Sequence, residues 1–427
     1  MSYRQGQIIR ELRSGRERRL RLGSLIKSGG AGSVFHIEGQ SGEVVKLYHA
    51  STSITAYARK IRAMLALSPQ VPDPASGFES IVQLAWPLAE AVDRDGGFLG
   101  FVMPELDVKA TLELEYMLQE RQARAAGLPV GLGARITLAA NLAALIASLH
   151  QQQHYVVDMK PLNLRFYRDS LYLSMLDCDG FSIQGNGERF AADQFTIDYL
   201  APEFQREGRI PQGQEEYQDR FALAVILFQL LNFGIHPYSG RPGNDRVPTD
   251  LPGRIRGHYY AYGNSPHRDM APNPSSGHKQ MPGELRQLFD RAFGNRAYER
   301  PGPGEWARAL NDYARPSTGK LRVCKKNREH QHYAGQPCAA CIRDGMISQA
   351  RKGLKPRVRV KARTQKPHPQ GQSQRRPQPQ PIYQIPQTQY SPPTGQRQSQ
   401  KPFTPPAFVV RFLLFFFLLW VWAILSL

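Results

Sequence analysis

The chain has 427 residues, with 55 Lys and Arg against 36 Asp and Glu, a formal net charge of +19 and four cysteines. That length allows two or three globular units with a sizeable core, and Cys178 with the late cluster Cys324, Cys338 and Cys341 counts against a secreted disulfide framework, fitting a reducing compartment and a metal site instead. The charge is uneven: no acid follows Asp344, while Lys and Arg continue to Lys401 and Arg411, so most of the excess forms a basic stretch that attracts a polyanion.

The first residues, "MSYRQGQIIRELRSGRERRLRL", hold no apolar run long enough for a signal peptide, and 1–18 read as an N-terminal tail. Residues 20–48 read as strands with a glycine break: "LRLGSLIKSGG", "SVFHI" and "EVVKLY". Ile54, Ala58, Ile61 and Leu65 recur at helical spacing, and short strands are expected at 81–85 and 99–104. From residue 109 the texture turns helical, through "ATLELEYMLQERQARA", "RITLAANLAALIASLHQQ" and "RFALAVILFQLLNF". The layout is α+β, a strand-rich unit over 19–108 followed by a helical unit over 109–316. A Cys/His segment over 320–345 comes next, then a basic Pro- and Gln-rich stretch over 346–406, expected to be an extended disordered linker. The chain closes on "AFVVRFLLFFFLLWVWAILSL", 407–427, which as a helix would span about 31 Å. Arg411 near one end can snorkel, Trp420 and Trp422 suit the far interface, and the flanking basic residues place the N-terminal side in the cytoplasm.

Chemistry gathers at a few points. In "KSGGAGSVF", Gly29, Gly30 and Gly32 let backbone approach a phosphate, or simply make a tight hairpin. Lys46 in "EVVKLY" either snorkels or faces that phosphate. "VVDMKPLNLRF" carries Asp158, Lys160 and Asn163, which suits a turn or a phosphoryl-transfer loop. The strand "LYLSMLD" then delivers Asp177, with Asp179 two residues on. An asparagine and an aspartate at the ends of a hairpin offer magnesium hard oxygen donors. "TIDYLAPEF" brings Glu203, for which Arg300 is a candidate partner. In the spacing C-x5-H-x-H-x5-C-x2-C, Cys324, Cys338 and Cys341 with His330 or His332 can complete a zinc tetrahedron.

Taken in order, these motifs resemble the eukaryotic-type protein kinase fold over roughly residues 20–314. The resemblance implies a bilobal fold with ATP and Mg2+ as cofactors. Gly29, Gly30, Gly32 and Val34 would cover the nucleotide, Lys46 would meet its phosphates, and Met103 and Glu105 would form the hinge. Asp158 would orient the acceptor hydroxyl, Lys160 would steady the γ-phosphate, and Asn163 and Asp177 would hold the metal, with Asp179 the alternative to Asp177. "DCDGF", "MLAL" and "FVMPEL" are similar to a bacterial branch associated with a PP2C-type phosphatase and a von Willebrand A-type protein. His332 followed by Tyr333 resembles kinase-associated zinc ribbons, which favours His332 over His330 as the Zn2+ ligand.

Departures from the pattern matter as much. Val157 stands where an arginine would read a phosphorylated activation loop, and Cys178 stands where a phenylalanine would pack beneath the first helix. No carboxylate lies between His49 and Pro72, so the usual glutamate partner of Lys46 is missing; either another acid substitutes or Lys46 acts unpaired. Thr196, seven residues before Glu203, matches the residue that in serine/threonine kinases braces the catalytic aspartate and lysine. The expectation is a serine/threonine kinase anchored in the cytoplasmic membrane. One rival is a pseudokinase that binds nucleotide and scaffolds partners. A second is a nucleic-acid-binding protein using the linker, but that linker has little aromatic interleaving for base stacking, and anionic lipid accounts for its charge more economically.

Overall fold

The computed structural model describes residues 3–50, 52–74, 81–264 and 266–353. They belong to one compact unit, Met1–Pro356. The expected linker beyond 353 and the expected membrane span at 407–427 lie outside the described residues.

Six strands close into a barrel in the order β1-β2-β3-β4-β6-β5. They are β1 (Ile8–Arg13), β2 (Arg16–Ser28), β3 (Gly32–Ile37), β4 (Glu43–Tyr48), β5 (Ala89–Val92) and β6 (Phe98–Pro104), with helix α1 (Ile54–Leu65) between β4 and β5. The β1–β2 turn is Ser14-Gly15, with φ of 49° and 78°, the pair of positive values that a two-residue hairpin with right-handed twist requires. Strand β1 then pairs antiparallel with β5, Glu11 opposite Ala91, and shuts the barrel. Residues 8–13 are therefore a strand and not part of a tail. The alternation there is disguised, because one inward position is Ile9 and the next is Glu11, a buried acid paired with Arg13 and Arg18. The interior is filled by Leu20, Leu22, Phe35, Val45, Leu47 and Val102, among others.

Two glycines pinch β4. A Cβ on Gly32 would sit 2.5 Å from the Leu47 carbonyl oxygen, and one on Gly100 would sit 1.9 Å from that of Lys46. With Val45 and Leu47 inside the barrel, period-two alternation sends Lys46 and Tyr48 to the outer face. Helix α1 covers that face, burying Ala58, Ile61 and Met64, and its Met64 carbonyl accepts from Trp86 Nε1 at 3.0 Å.

The helical part begins with β7 (Thr111–Glu113), α2 (Glu115–Leu118), α3 (Glu120–Ala125) and α4 (Leu132–Gln151). Strands β8 (Leu164–Tyr167) and β9 (Leu173–Met175) join β7 in a small sheet, and β10 (Ile183–Gly185) pairs with β11 (Glu188–Phe190). Then come α5 (Pro202–Glu207), α6 (Glu215–Leu231), β12 (Gly240–Pro242), α7 (Leu251–Arg256), β13 (Met270–Pro272), α8 (Gly283–Ala292) and α9 (Pro303–Ala314). Among the described residues, α4 alone is long and apolar enough to cross a membrane, yet it is a core helix packed with α6 and α9. From Phe221 to Leu231 helix α6 is apolar on every side except at Gln229, and buried, as a central helix must be. Finally β14 (Leu321–Val323), β15 (Gln331–Tyr333) and α10 (Ala339–Gly353) form the Cys/His module, and α10 runs on through residues 346–353, where the linker was expected to begin.

The pair anticipated between Glu203 and Arg300 is formed, bidentate, at 2.6 and 2.8 Å. The Arg300 side chain is 1% exposed and also donates to the Tyr217 carbonyl, tying the start of α5 to α6 and to the approach of α9. Removing the carboxylate leaves a buried guanidinium without its counter-charge. Glu203→Gln should therefore lower the unfolding free energy by about 3 kcal/mol, read as a shift of the urea midpoint at unchanged slope.

Candidate active site

The cleft below β3 and β4 is lined by Gly29, Gly30, Gly32, Val34 and Lys46 from the barrel, and by Tyr57 and Lys60 from α1. Asp158, Lys160 and Asn163, then Asp177 and Asp179, line its other side. Most of the residues picked out in the sequence thus share one cavity. The glycines divide the labour. Gly32 is needed for the close approach of β4, while Cβ atoms on Gly29 and Gly30 would meet essentially open space, leaving that turn free to approach a ligand.

Lys46 has a partner. Its Nζ lies 2.8 and 2.9 Å from the two carboxylate oxygens of Asp179 and 3.2 Å from Asp177 Oδ1. Tyr48 OH donates to Asp179 Oδ2 at 2.8 Å. Lys46 and Asp179 are both buried, whereas the Asp177 side chain is 57% exposed. The missing glutamate of the first helix is therefore replaced by an acid from the turn after β9. Burial alone would drive the Lys46 pKa down, but Asp179 and Asp177 outweigh it and raise it. Burial likewise opposes the Asp179 charge, and Lys46 with the Tyr48 hydroxyl overcomes that opposition to hold its pKa below the ordinary value. The turn that arranges this starts at Asp177, whose φ of 53° and ψ of 40° are left-handed, uncommon for a residue with a Cβ. A tight turn over Cys178–Gly180 follows and returns Asp179 to Lys46. Cys178, buried with its thiol against the Met175 carbonyl, occupies little space beneath α1.

Across the cleft, Asp158 is held on both oxygens. Thr196 Oγ1 donates to Oδ1 at 2.6 Å, and Lys160 Nζ reaches Oδ2 at 2.7 Å and Thr196 Oγ1 at 2.8 Å. Asn163 Nδ2 donates to the Asp158 carbonyl at 3.1 Å and to its Oδ2 at 3.2 Å, which leaves Asn163 Oδ1 as an oxygen donor for a cation. The Leu176 amide bonds the Asn163 carbonyl at 3.1 Å, setting Asn163 beside Asp177. A hard cation needs such a pair of oxygens, one of them charged, and these residues fit magnesium.

The loop rests on Asp219 of α6, whose carboxylate accepts from the amides of Val156 and Val157, each at 2.7 Å, and from His150 Nε2 at 3.0 Å. Val157 has φ 64°, a strained setting for a β-branched residue. Sequence reasoning gave Asp219 no role. Its signal was an acid, fully buried in the fold, at the head of a helix that turns apolar from Phe221 on.

Met103 and Glu105 lie outside the cleft lining. Glu105 turns to His36 Nδ1 at 3.2 Å, and its own amide bonds the Gly42 carbonyl at 2.9 Å, closing the β3–β4 turn against the end of β6. The sequence also passed over Tyr48 and Lys60. Tyr48 was legible as the residue two beyond Lys46, on the same strand face.

In the Cys/His module the sulfurs of Cys324, Cys338 and Cys341 lie within 4.8 Å of one another. His330 Nδ1 is 3.4 Å from Cys341 Sγ and 3.9 Å from Cys338 Sγ, while His332 Nδ1 contacts the Tyr333 carbonyl at 2.9 Å. The structure thus puts His330 in contact with the thiols, while His332, the favoured candidate, lines the same cavity as Cys324, Cys338 and Cys341 without such a contact. His330 stands just before β15, and its carbonyl accepts from the Cys324 amide at 2.9 Å, which seats it beside the thiols, whereas His332 lies within β15 with its ring on the Tyr333 carbonyl. Zinc–sulfur bonds of about 2.3 Å imply tetrahedral edges near 3.8 Å, which these separations approach. Backbone amides of Asn327 and Lys326 lower the Cys324 pKa to about 7, favouring thiolate. The other ring nitrogen of His330 contacts the Asn327 side-chain amide at 3.1 Å, with Asp344 Oδ2 farther off at 3.5 Å, so outer polar groups orient the imidazole.

Replacing Asp179 by Asn leaves Lys46 buried without its main counter-charge. We expect a loss on the order of 3 kcal/mol, against little change for the exposed Asp177→Asn. Because Asp179 is held below its ordinary pKa, its contribution is present above the normal carboxylate range and disappears as pH falls through it. Denaturation across pH 2–6 should therefore show a flatter acid limb in Asp179→Asn than in the unaltered chain.

No family model matches the chain. It is 28% identical over 332 residues to protein kinase YegI of Escherichia coli strain K12, and 28% identical over 331 residues to protein kinase YegI of Escherichia coli O157:H7. Each alignment covers 76% of this chain and 49% of the relative, so the chain spans about half the length of the curated relatives it matches. With a cleft that unites Lys46, Asp158, Asn163 and Asp177, this similarity supports a bacterial protein-kinase-like family for the chain.

Proposed function

We propose that the chain is an ATP- and Mg2+-dependent protein kinase that phosphorylates serine or threonine hydroxyls, with the barrel and the helical part as its two lobes. The observation that carries this reading is the Asp158–Thr196–Lys160–Asn163 network facing Asp177 and the Lys46–Asp179 pair in one cleft. Magnesium bound with the nucleotide supplies charge neutralisation at the transferring phosphoryl group. Asn163 and Asp177 are the residues that would hold it. Asp158, fixed on both oxygens, orients the acceptor hydroxyl and takes up its proton, while Lys160 balances charge beside it. Thr196 as the bridge supports the serine/threonine assignment. In the same reading Cys324, Cys338, Cys341 and His330 hold a structural Zn2+. The apolar segment 407–427 anchors the protein in the cytoplasmic membrane with its basic neighbour against anionic lipid, and protein substrates, a PP2C-type phosphatase and a von Willebrand A-type protein are its partners.

Asp158→Asn should lower phosphate transfer from radiolabelled ATP by a hundredfold or more, at nearly unchanged ATP affinity, because the base acts mainly in the transition state. An unaltered chain that binds ATP but transfers nothing to itself or to generic acceptors would instead be a nucleotide-binding scaffold. For the metal, the full chain purified without chelators should carry about one zinc by elemental analysis. Cys338→Ser and His330→Ala should lose it, and His332→Ala should keep it. Absence of stoichiometric zinc from the unaltered protein would refute the site.

A further inference from the structure

Helix α1 supplies no carboxylate to the cleft. It supplies a lysine. Lys60 is 7% exposed and lines the same cavity as Lys46, Asp158, Asn163 and Asp177. Its Nζ makes one hydrogen bond, to the Ala191 carbonyl at 3.2 Å, and among the described residues no carboxylate lies within ion-pair distance. Asp179 is already occupied by Lys46 and Tyr48, and Asp193, the other acid that influences Lys60, is exposed. A buried ammonium normally has a charged partner, since desolvating it alone is costly. Burial lowers the Lys60 pKa to about 8, the sign of a cation short of negative charge.

We propose that Lys60 is a second phosphate-binding lysine of this cleft, so that helix α1 grips the polyphosphate of the bound nucleotide directly. The inference rests on the kinase reading above. With Lys46 committed to Asp179 on the barrel side, Lys60 gives the cleft a cation on the helix side whose counter-charge arrives with the ligand. The bond to Ala191 holds the ammonium group against the segment leading to Thr196. Occupancy of the cleft then couples α1, the nucleotide and that segment through one side chain. A lysine serving only to tie α1 to Ala191 would act on folding and not on phosphate recognition.

The test uses the full chain with Lys60→Met and Lys60→Arg, titrated with ATP and with adenosine in the presence of magnesium. Lys60→Met should weaken ATP about tenfold or more and leave adenosine within about twofold, and Lys60→Arg should recover most of the loss. Equal weakening of both ligands would show a structural role and overturn the proposal, as would unchanged ATP affinity. If the unaltered chain binds no ATP, the kinase reading itself fails; if it binds ATP and Lys60→Met binds equally well, only the Lys60 assignment fails. Should Lys60→Met not fold, reductive methylation of the unaltered protein decides. Lys60 should be protected by ATP and not by adenosine, and equal labelling in both overturns the proposal.

Discussion

A lysine and an aspartate taken out of water together stay charged only if each finds the other at close range and the leftover hydrogen-bonding capacity is met. The Lys46–Asp179 pair meets that demand with both carboxylate oxygens on one ammonium and a tyrosine hydroxyl on a further lone pair of Oδ2. Much of the cleft follows from it. Strand β4 must carry Lys46 and Tyr48 on one face, and Gly32 and Gly100 let the neighbouring strands close on β4 without pushing that face outward. The turn after β9 must reverse within two residues, which the left-handed Asp177 achieves, sending one acid towards solvent and the next inward. Two aspartates of the same sequence motif thereby take opposite environments. One is available to a cation and the other is consumed by a lysine.

The opposite wall is stabilised in a different way. Val157 stands in strained backbone immediately before Asp158, and a carboxylate from α6 takes both amides of the strained dipeptide. That carboxylate is itself buried and bonded to His150 at the end of α4. The position of Asp158 is thus fixed from below by two core helices and from the side by Thr196. None of these contacts requires an added phosphate, in keeping with valine in the place where an arginine would read one.

What the sequence made legible was the order of chemical residues: Lys46, Asp158, Asn163, Asp177, Thr196, Glu203 and Arg300 were all picked out, because polar residues at fixed separations inside apolar runs stand out. What escaped were residues whose role depends on where a turn points. Which of Asp177 and Asp179 turns inward to Lys46 depends on one left-handed φ value, which no spacing rule encodes. Lys60 escaped because an apolar stripe at Ile54, Ala58, Ile61 and Leu65 predicted the buried face of α1 without it, whereas the helix is rotated so that Lys60, Ala63 and Met64 are buried and Ile54 and Leu65 are only half-buried. His330 against His332 depended on the turn before β15, where the His330 carbonyl accepts from the Cys324 amide. Strand β1 was hidden by Glu11, a charge at an inward position whose partners, Arg13 and Arg18, lie on the same hairpin.

The closure of β1 onto β5 has a consequence for how copies of this protein behave when crowded. An open sheet ends in a row of unpaired amides and carbonyls that another chain can extend, and natural proteins spend charge, proline and bulges to blunt it. Here the circuit from β1 through β5 returns on itself, so the barrel exposes no such row. Neither strand-by-strand polymerisation nor capture of an extended peptide as an added strand can begin there. Any self-association involving the barrel has to proceed through its side chains, where the arginine-rich outer face of β2 sets the sign of the encounter.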